Sequence, residues 1–455
     1  MQSHVGSNRP NTDQVREELL AKARKPSADA MRLHPSYRGK VQMAPKVPVR
    51  DVSDFSIWYT PGVAAPCRDI AAHPEKVWEH TNKGNTIAVV SDGTRVLGLG
   101  DIGPEAGLPV MEGKALIFKY LGGVDAVPIC LDTKDPDLFI QTVKLLQPSF
   151  GGINLEDIAK PKCFRILDTL RAEMDIPVWH DDQQGTAAVI LAGLINALKL
   201  VGKAIDNVNV VTIGAGAASV ATLRLLFAAG ADPARAMMVD TKGILHHERE
   251  SFARDDPRTE FCRITNGEDR RGGIPDALVG ADVVIALSRP GPDTILGEWL
   301  ETMNDSAILF ACANPVPEIW PWKAKEAGVR IVATGRSDFP NQVNNSLGFP
   351  GIFRGVLDVR ARTISDEMAM AAAKEIARYA EERGLGEEYI VPTMDEWEVF
   401  PREAVATAMK AQEQGLARLS KSPETLYREA KDAIQRARTM LETMMGQGLI
   451  AEMVE

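Results

Sequence analysis

The chain has 455 residues, 45% hydrophobic and 25% charged, and is long enough to bury two separate cores. A formal charge of −10, with no run of basic residues, argues against a nucleic-acid partner. The polar start has no apolar core of a signal peptide, no stretch reads as an uninterrupted membrane span, and the five scattered cysteines contain no C-x-x-C pair, so the expectation is a cytoplasmic protein with reduced thiols and no membrane partner.

In chain order, a short helix is expected near 14–23, then an extended arm carrying Pro26, Pro35, Pro45 and Pro48 and placed to lie on another subunit. From Thr86 the pattern alternates β and α. Strand TIAVVS, a turn at Asp92 and Gly93, and strand VLGLG lead through a glycine-rich loop into GKALIFKYLGG. Strand AVPICLD and helix DLFIQTVKLLQ follow. FGGINL and IPVWHD then flank the helix after Pro161 as in a parallel βαβ unit. Thr186 opens a long apolar helix that ends near Gly202 and bridges to a second series of strands, NVNVVTIGAGAAS, MMVD, ADVVIALS, AILFACAN and VRIVATG. The chain from about Ile364 onward is rich in Ala, Glu, Met and Lys and reads as helices.

This pattern predicts a two-domain α/β fold: an N-terminal α/β substrate and metal domain over 1–185, a doubly wound Rossmann-type dinucleotide domain over 186–363, and a helical C-terminal segment over 364–455 packing back on both. The dinucleotide reading rests on VVTIGAGAASVATLRLLFAAG, where a β-rich run meets a glycine turn and a helix whose first N–H groups can receive a pyrophosphate. Gly214 and Gly216 are the first two fingerprint glycines, Ala217 and Ala218 open the helix, and Ser219 stands at the third position, where glycine is usual but a small residue fits. Asp240 closes the next strand at the distance of an acid that binds a ribose 2′-hydroxyl, which favours NAD. Lys242 could instead meet a 2′-phosphate, so NADP stays open.

Glu156 and Asp157 after GGINL, and Asp182 after IPVWHD, are acids at the C-terminal ends of neighbouring strands, where open α/β sheets bind ligands. Hard cations such as Mg²⁺ or Mn²⁺ prefer such oxygens, although strand-end acids also serve as helix caps. His180 beside them reads as orienting a neighbour. Lys114, read at the end of the glycine-rich loop, is a candidate general base if burial and a nearby cation lower its pKa. Tyr59 in WYTPGVAAPC is a candidate proton donor or a packed aromatic. Asn314, Asn344 and Asn345 lie on loops where amides bind a carboxylate or a carboxamide, or simply form turns.

From about Arg38 to Ala417 the chain resembles the malic enzyme family. Seven blocks occur in family order: YTPGVA, SDGTRVLGLGDIG, GLPVMEGKA, NLEDI, HDDQQGTA, GAGAAS and GRSDFPNQVNNSLGFPGIFRG. Length and tail are similar to the short bacterial form. The resemblance implies metal-dependent oxidative decarboxylation of malate or a close analogue, with reduction of NAD or NADP, by a homodimer or larger homo-oligomer. It implies Glu156, Asp157 and Asp182 as metal ligands, Lys114 as general base supported by Asp181, and Tyr59 as general acid. It further implies Arg95 at a substrate carboxylate, Asn344 and Asn345 at substrate and nicotinamide, and Asn314 near the cofactor. Arg95, Asp101 and Gln184 depart from the short bacterial pattern, and the charged stretch 246–273 departs from the usual nucleotide-domain segment. These departures keep open a dehydrogenase that stops at oxidation or takes a changed substrate, or a silent binding protein.

Overall fold

The computed structural model describes residues 12–249, 252 and 256–453. Strands β1 (Thr86–Ser91), β2 (Asp125–Cys130), β3 (Gly152–Leu155) and β4 (Val178–His180) form one parallel sheet in the order β2-β1-β3-β4. Ile87 to Val90 are wholly buried, which explains why β1 is a continuous apolar run: a parallel sheet with helices on both faces leaves no polar side.

The second sheet comprises β5 (Val210–Ile213), β6 (Ala236–Asp240), β7 (Gly243–Ile244), β8 (Val283–Ala286), β9 (Ile308–Ala311) and β10 (Ile331–Thr334), in the order β10-β9-β8-β5-β6-β7. Counted from β5 this is the doubly wound order 3-2-1-4-5-6, with its switch point between β5 and β8. β7, a two-residue strand not anticipated from the sequence, pairs antiparallel with β6.

Four sequence expectations need correction. The first helix, α1 (Thr12–Tyr37), contains Pro26 and Pro35, so the extended arm begins only after it. VLGLG is a loop: Leu97 and Gly100 take left-handed φ values of 47 and 82°, and the chain folds back with Val96 bonding to Gly100. The glycine-rich segment before Lys114 belongs to helix α2 (Pro104–Gly122), which Pro104 starts with a pre-set φ, so Lys114 sits in the body of a helix. Finally, the stretch Asp181–Val201 does have the length and hydropathy of a membrane span, but 67% of its apolar window is buried inside the protein.

Within that stretch, α3 (Thr186–Val201) runs from the first sheet toward the second and ends on left-handed Gly202. Its buried Asn196 donates to the carbonyls of Ala377 (2.8 Å) and Ile390 (2.9 Å), tying it to the C-terminal helices. Those helices are α5 (Phe349–Asp358), α6 (Asp366–Arg383), α7 (Val399–Glu413) and α8 (Pro423–Gly446), with α4 (Ala217–Ala228) following β5. They return to the first sheet, where Arg354 of α5 donates to Asn85 and Arg418 to the Asp175 carbonyl (2.6 Å).

Candidate active site

The C-terminal ends of β3 and β4 bring four acids and one lysine together. Glu156 and Asp157 follow β3, and Asp181 and Asp182 follow β4 in a π-helical turn, Asp181–Gly185, that leads into α3. Lys114 reaches them from α2, its Nζ lying 2.6 Å from Asp181 Oδ2 and 3.1 Å from Glu156 Oε1. Asp181 also accepts from Trp179 Nε1 (3.0 Å), and Glu156 from Asn154 Nδ2 (2.9 Å). Gly185 is required here, because a Cβ on it would lie 1.9 Å from Asp181 Oδ1.

Asp157 has a left-handed backbone, φ 56°, unusual for a residue with a side chain. That conformation lets its N–H donate to Asp182 Oδ2 (2.7 Å), while Asp157 Oδ1 accepts the Leu97 N–H (3.2 Å) and its carbonyl accepts the Arg95 N–H (3.0 Å). The loop after β1 is thereby folded over the acids. Arg95 stands exposed at its start, its guanidinium on the Leu97 carbonyl (2.8 Å).

Burial raises the Glu156 carboxyl well above its ordinary range, with Lys114 pulling the other way and the neighbouring aspartates adding to the rise. Burial, then the charge of Asp182, pushes Asp157 up to about 7. Burial also raises Asp181 and lowers His180, whose ring makes no hydrogen bond among the described residues and lies 3.8 Å from Asp182. For Lys114, burial disfavours the ammonium, but Asp181 and Glu156 outweigh it and hold the pKa above its ordinary value. The sequence expectation of a lowered lysine pKa is therefore corrected for this arrangement: the carboxylates are too close.

Among the described residues no three acidic, His or Cys side chains already converge as a ligand set. Asp182 spends an oxygen on Asp157 N–H, and Glu156 is drawn to Lys114 and Asn154. The donor chemistry nevertheless fits a hard divalent cation. Glu156, Asp157 and Asp182 are adjacent carboxylates whose mutual repulsion a cation relieves, and Asp157 Oδ2 is buried without a partner.

On the second sheet, Gly214 has φ 107°, and a Cβ there would lie 2.5 Å from the Leu287 carbonyl, so only glycine lets the chain turn at the switch point. A Cβ on Gly216 would meet nothing within 4 Å, leaving open space before α4, which starts at Ala217 with Ala218 and buried Ser219 in its first turn. Asp240, ending β6, accepts the Lys242 N–H (2.7 Å) and both oxygens meet Arg249 NH2 (2.7 and 2.6 Å), while the Lys242 side chain is exposed. Lys160 joins the halves: its Nζ donates to the Ala215 carbonyl (2.8 Å).

Asn344 spends its side chain on Ser346, accepting from N (3.0 Å) and Oγ (2.7 Å). Asn345 packs near the acids, its Cβ 3.3 Å from where a Gly185 side chain would begin. Asn314 is exposed after β9, its carbonyl 3.4 Å from the Cβ position of Gly98 in the loop over the acids. Tyr59 is the one predicted site residue standing apart: it is 69% exposed and its hydroxyl makes no hydrogen bond among the described residues. Sequence reasoning missed Trp179, Asn154, Gly185, Lys160 and Arg249. The first three lie inside the quoted blocks or their flanking strands. Arg249 lies in the atypical charged stretch and gave no signal.

A carboxylate-rich cleft facing a nucleotide fold across a shared helix defines a dinucleotide-dependent oxidoreductase of two α/β domains. The chain matches the malic enzyme N-terminal domain over residues 38–171 and the malic enzyme NAD binding domain over 183–315 and 281–412. It is 50% identical to the NAD-dependent malic enzyme of Geobacillus stearothermophilus, over 85% of this chain and 79% of that one. It is 42% identical to the NADP-dependent malic enzyme of Halomonas elongata, over 84% and 92%. The crystal structure of Entamoeba histolytica malic enzyme superposes with a TM-score of 0.92 at 48% identity, covering 98% of this chain and 93% of that one. The chain belongs to the malic enzyme family.

Proposed function

We propose that this enzyme oxidises malate at C2 and releases its β-carboxylate as CO₂, giving pyruvate and reduced NAD, with Mg²⁺ or Mn²⁺ held by Glu156, Asp157 and Asp182. The observation that carries the reading is Lys114, buried within 2.6 Å of Asp181 and 3.1 Å of Glu156, at the strand ends that face the nucleotide fold. A bound divalent cation supplies Lewis-acid polarisation of the substrate oxygen. It also takes up carboxylate charge that otherwise keeps Lys114 protonated.

Arg95 pairs with a substrate carboxylate through its planar fork, and Asn345 and Asn344 orient substrate and nicotinamide. Lys114, steadied by Asp181, accepts the C2 hydroxyl proton as the hydride leaves for the nicotinamide. After CO₂ departs, Tyr59 gives a proton to C3 of the enolate. Gly214, Gly216, Ala217, Ala218 and Ser219 cradle the pyrophosphate, Asn314 flanks the nicotinamide, and Asp240 takes the adenosine ribose, favouring NAD. Lys242 beside it suits the extra phosphate of NADP.

The domain limits we assign are 1–185 for substrate and metal, 186–363 for the dinucleotide, and 364–455 for the helices that brace both. The cysteines Cys67, Cys130, Cys163, Cys262 and Cys312 are all free thiols, which supports a cytoplasmic location. Lys114→Ala is expected to lower kcat for malate oxidation by about 10²–10⁴-fold with dinucleotide affinity kept, the usual size of a lost acid–base group. Turnover within a few-fold of wild type would remove Lys114 from that role.

A further inference from the structure

The segment between Arg50 and Ala72 carries Tyr59 yet has almost no core of its own. Asp54, paired with Arg50, is its one buried residue among those described, and the helix Ala64–Ala72 buries nothing. Val52, Phe55, Ile57, Trp58 and Tyr59 are all exposed. A folded segment that presents a row of large apolar side chains to water is an interface waiting for its partner surface.

The segment is pinned to the wrong end of its own sheet for Tyr59 to act there. Lys46 donates to Asn82 (2.9 Å), and Asn82 donates to Thr86 Oγ1 and Asp125 (both 2.9 Å), at the first residues of β1 and β2. Trp58 folds back on the Pro48 carbonyl (3.1 Å), and Asp69 is held by His80 (2.7 Å). Glu156 and Asp181 lie beyond the opposite ends of the strands, and five residues of extended chain separate those ends by about 17 Å. A second apolar patch, exposed Leu97, Leu99 and Ile102, rims the loop that covers the acids.

We infer that the active site is shared between two copies of this chain. The Tyr59 segment of one protomer docks on the Leu97–Leu99 loop of its partner and delivers Tyr59 to the partner's Lys114 and acid cluster. Two unlike patches on one chain satisfy each other reciprocally about a two-fold axis, burying both and leaving none exposed. The inference rests on the proposed role of Tyr59, and deepens it by saying whose site Tyr59 serves.

Complementation tests it. Tyr59→Phe and Lys114→Ala chains with different tags are co-expressed, and the heterodimer is isolated through both tags. In a shared site one of its two centres regains an intact Tyr59 and an intact Lys114, so about half of wild-type turnover is expected although each parent is inactive. An inactive heterodimer, or a chain that is monomeric at assay concentration, overturns the inference and leaves the role of Tyr59 standing. Full activity of Tyr59→Phe by itself overturns that role and the inference with it. If Lys114→Ala folds poorly, Asp182→Asn, at a half-exposed position, takes its place with the same expectation.

Discussion

At the residue scale, charge is concentrated where water is excluded. Lys114 faces Asp181 and Glu156 with only a few per cent of each side chain exposed, an arrangement that removing any one partner would leave unbalanced. Glu403 is a different case. It is wholly buried, neither oxygen has a hydrogen-bond partner among the described residues, and burial, aided by the charge of Glu375, raises its carboxyl well above the ordinary range. A raised carboxyl pKa means the folded state keeps a proton that the unfolded state loses. Stability is then full below the unfolded pKa and falls as pH rises through the interval up to the folded value. Glu403→Gln, a neutral isostere, is expected to melt with wild type at acid pH and above it at pH 8. Thermal denaturation at both pH values checks this, and equal melting at pH 8 would show that Glu403 finds a partner.

At the scale of elements, α5 and α7 pack through notches. A Cβ on Gly355 would sit 2.3 Å from the Ala404 carbonyl, and one on Gly351 would fall 2.1 Å from Glu403 Oε2. Since α5 follows directly from the loop of Asn344 and Asn345, forcing the helices apart moves that loop. Gly355→Ala is expected to destabilise by about 1–3 kcal/mol, the usual cost of overpacking, and denaturant unfolding measures it. The long apolar helix α3 and all the principal strands were legible because their periodicity reflects burial on one or both faces. VLGLG was not, because its residues fit a strand and only the bonds from Asp157 to Arg95 and Leu97, far apart in sequence, bend it into a loop. The helix around Lys114 was misjudged in its start because glycine and proline there suggest a loop, whereas Pro104 and Pro109 are both accommodated within α2. The acids at the strand ends were legible from position alone, but the high proton affinity of Lys114 was not, since it depends on how closely two other segments approach.

At the scale of the whole molecule, two sheets meet across α3 and Lys160, so substrate chemistry on one and dinucleotide on the other share a single cleft. The β6 end of that cleft is electrostatically divided: Asp240 is engaged by Arg249, and both lie beside exposed Lys242. Losing Asp240 removes the ribose acceptor and frees Arg249 for an anion, so Asp240→Ala is expected to lower kcat/KM for NAD⁺ about tenfold or more while NADP⁺ gains relative to it. Steady-state kinetics with both cofactors reads the ratio, and an unchanged ratio would take Asp240 out of cofactor choice. The central claim, that the acid cluster and the nucleotide fold together perform metal-dependent oxidative decarboxylation, is tested most directly by supplying L-malate with NAD⁺ or NADP⁺, with and without Mn²⁺, and counting reduced nicotinamide, pyruvate and CO₂ in the same sample. The account predicts that all three appear in equal amounts and only with the metal. Reduced nicotinamide without CO₂, or undiminished turnover after rigorous metal removal, would contradict it.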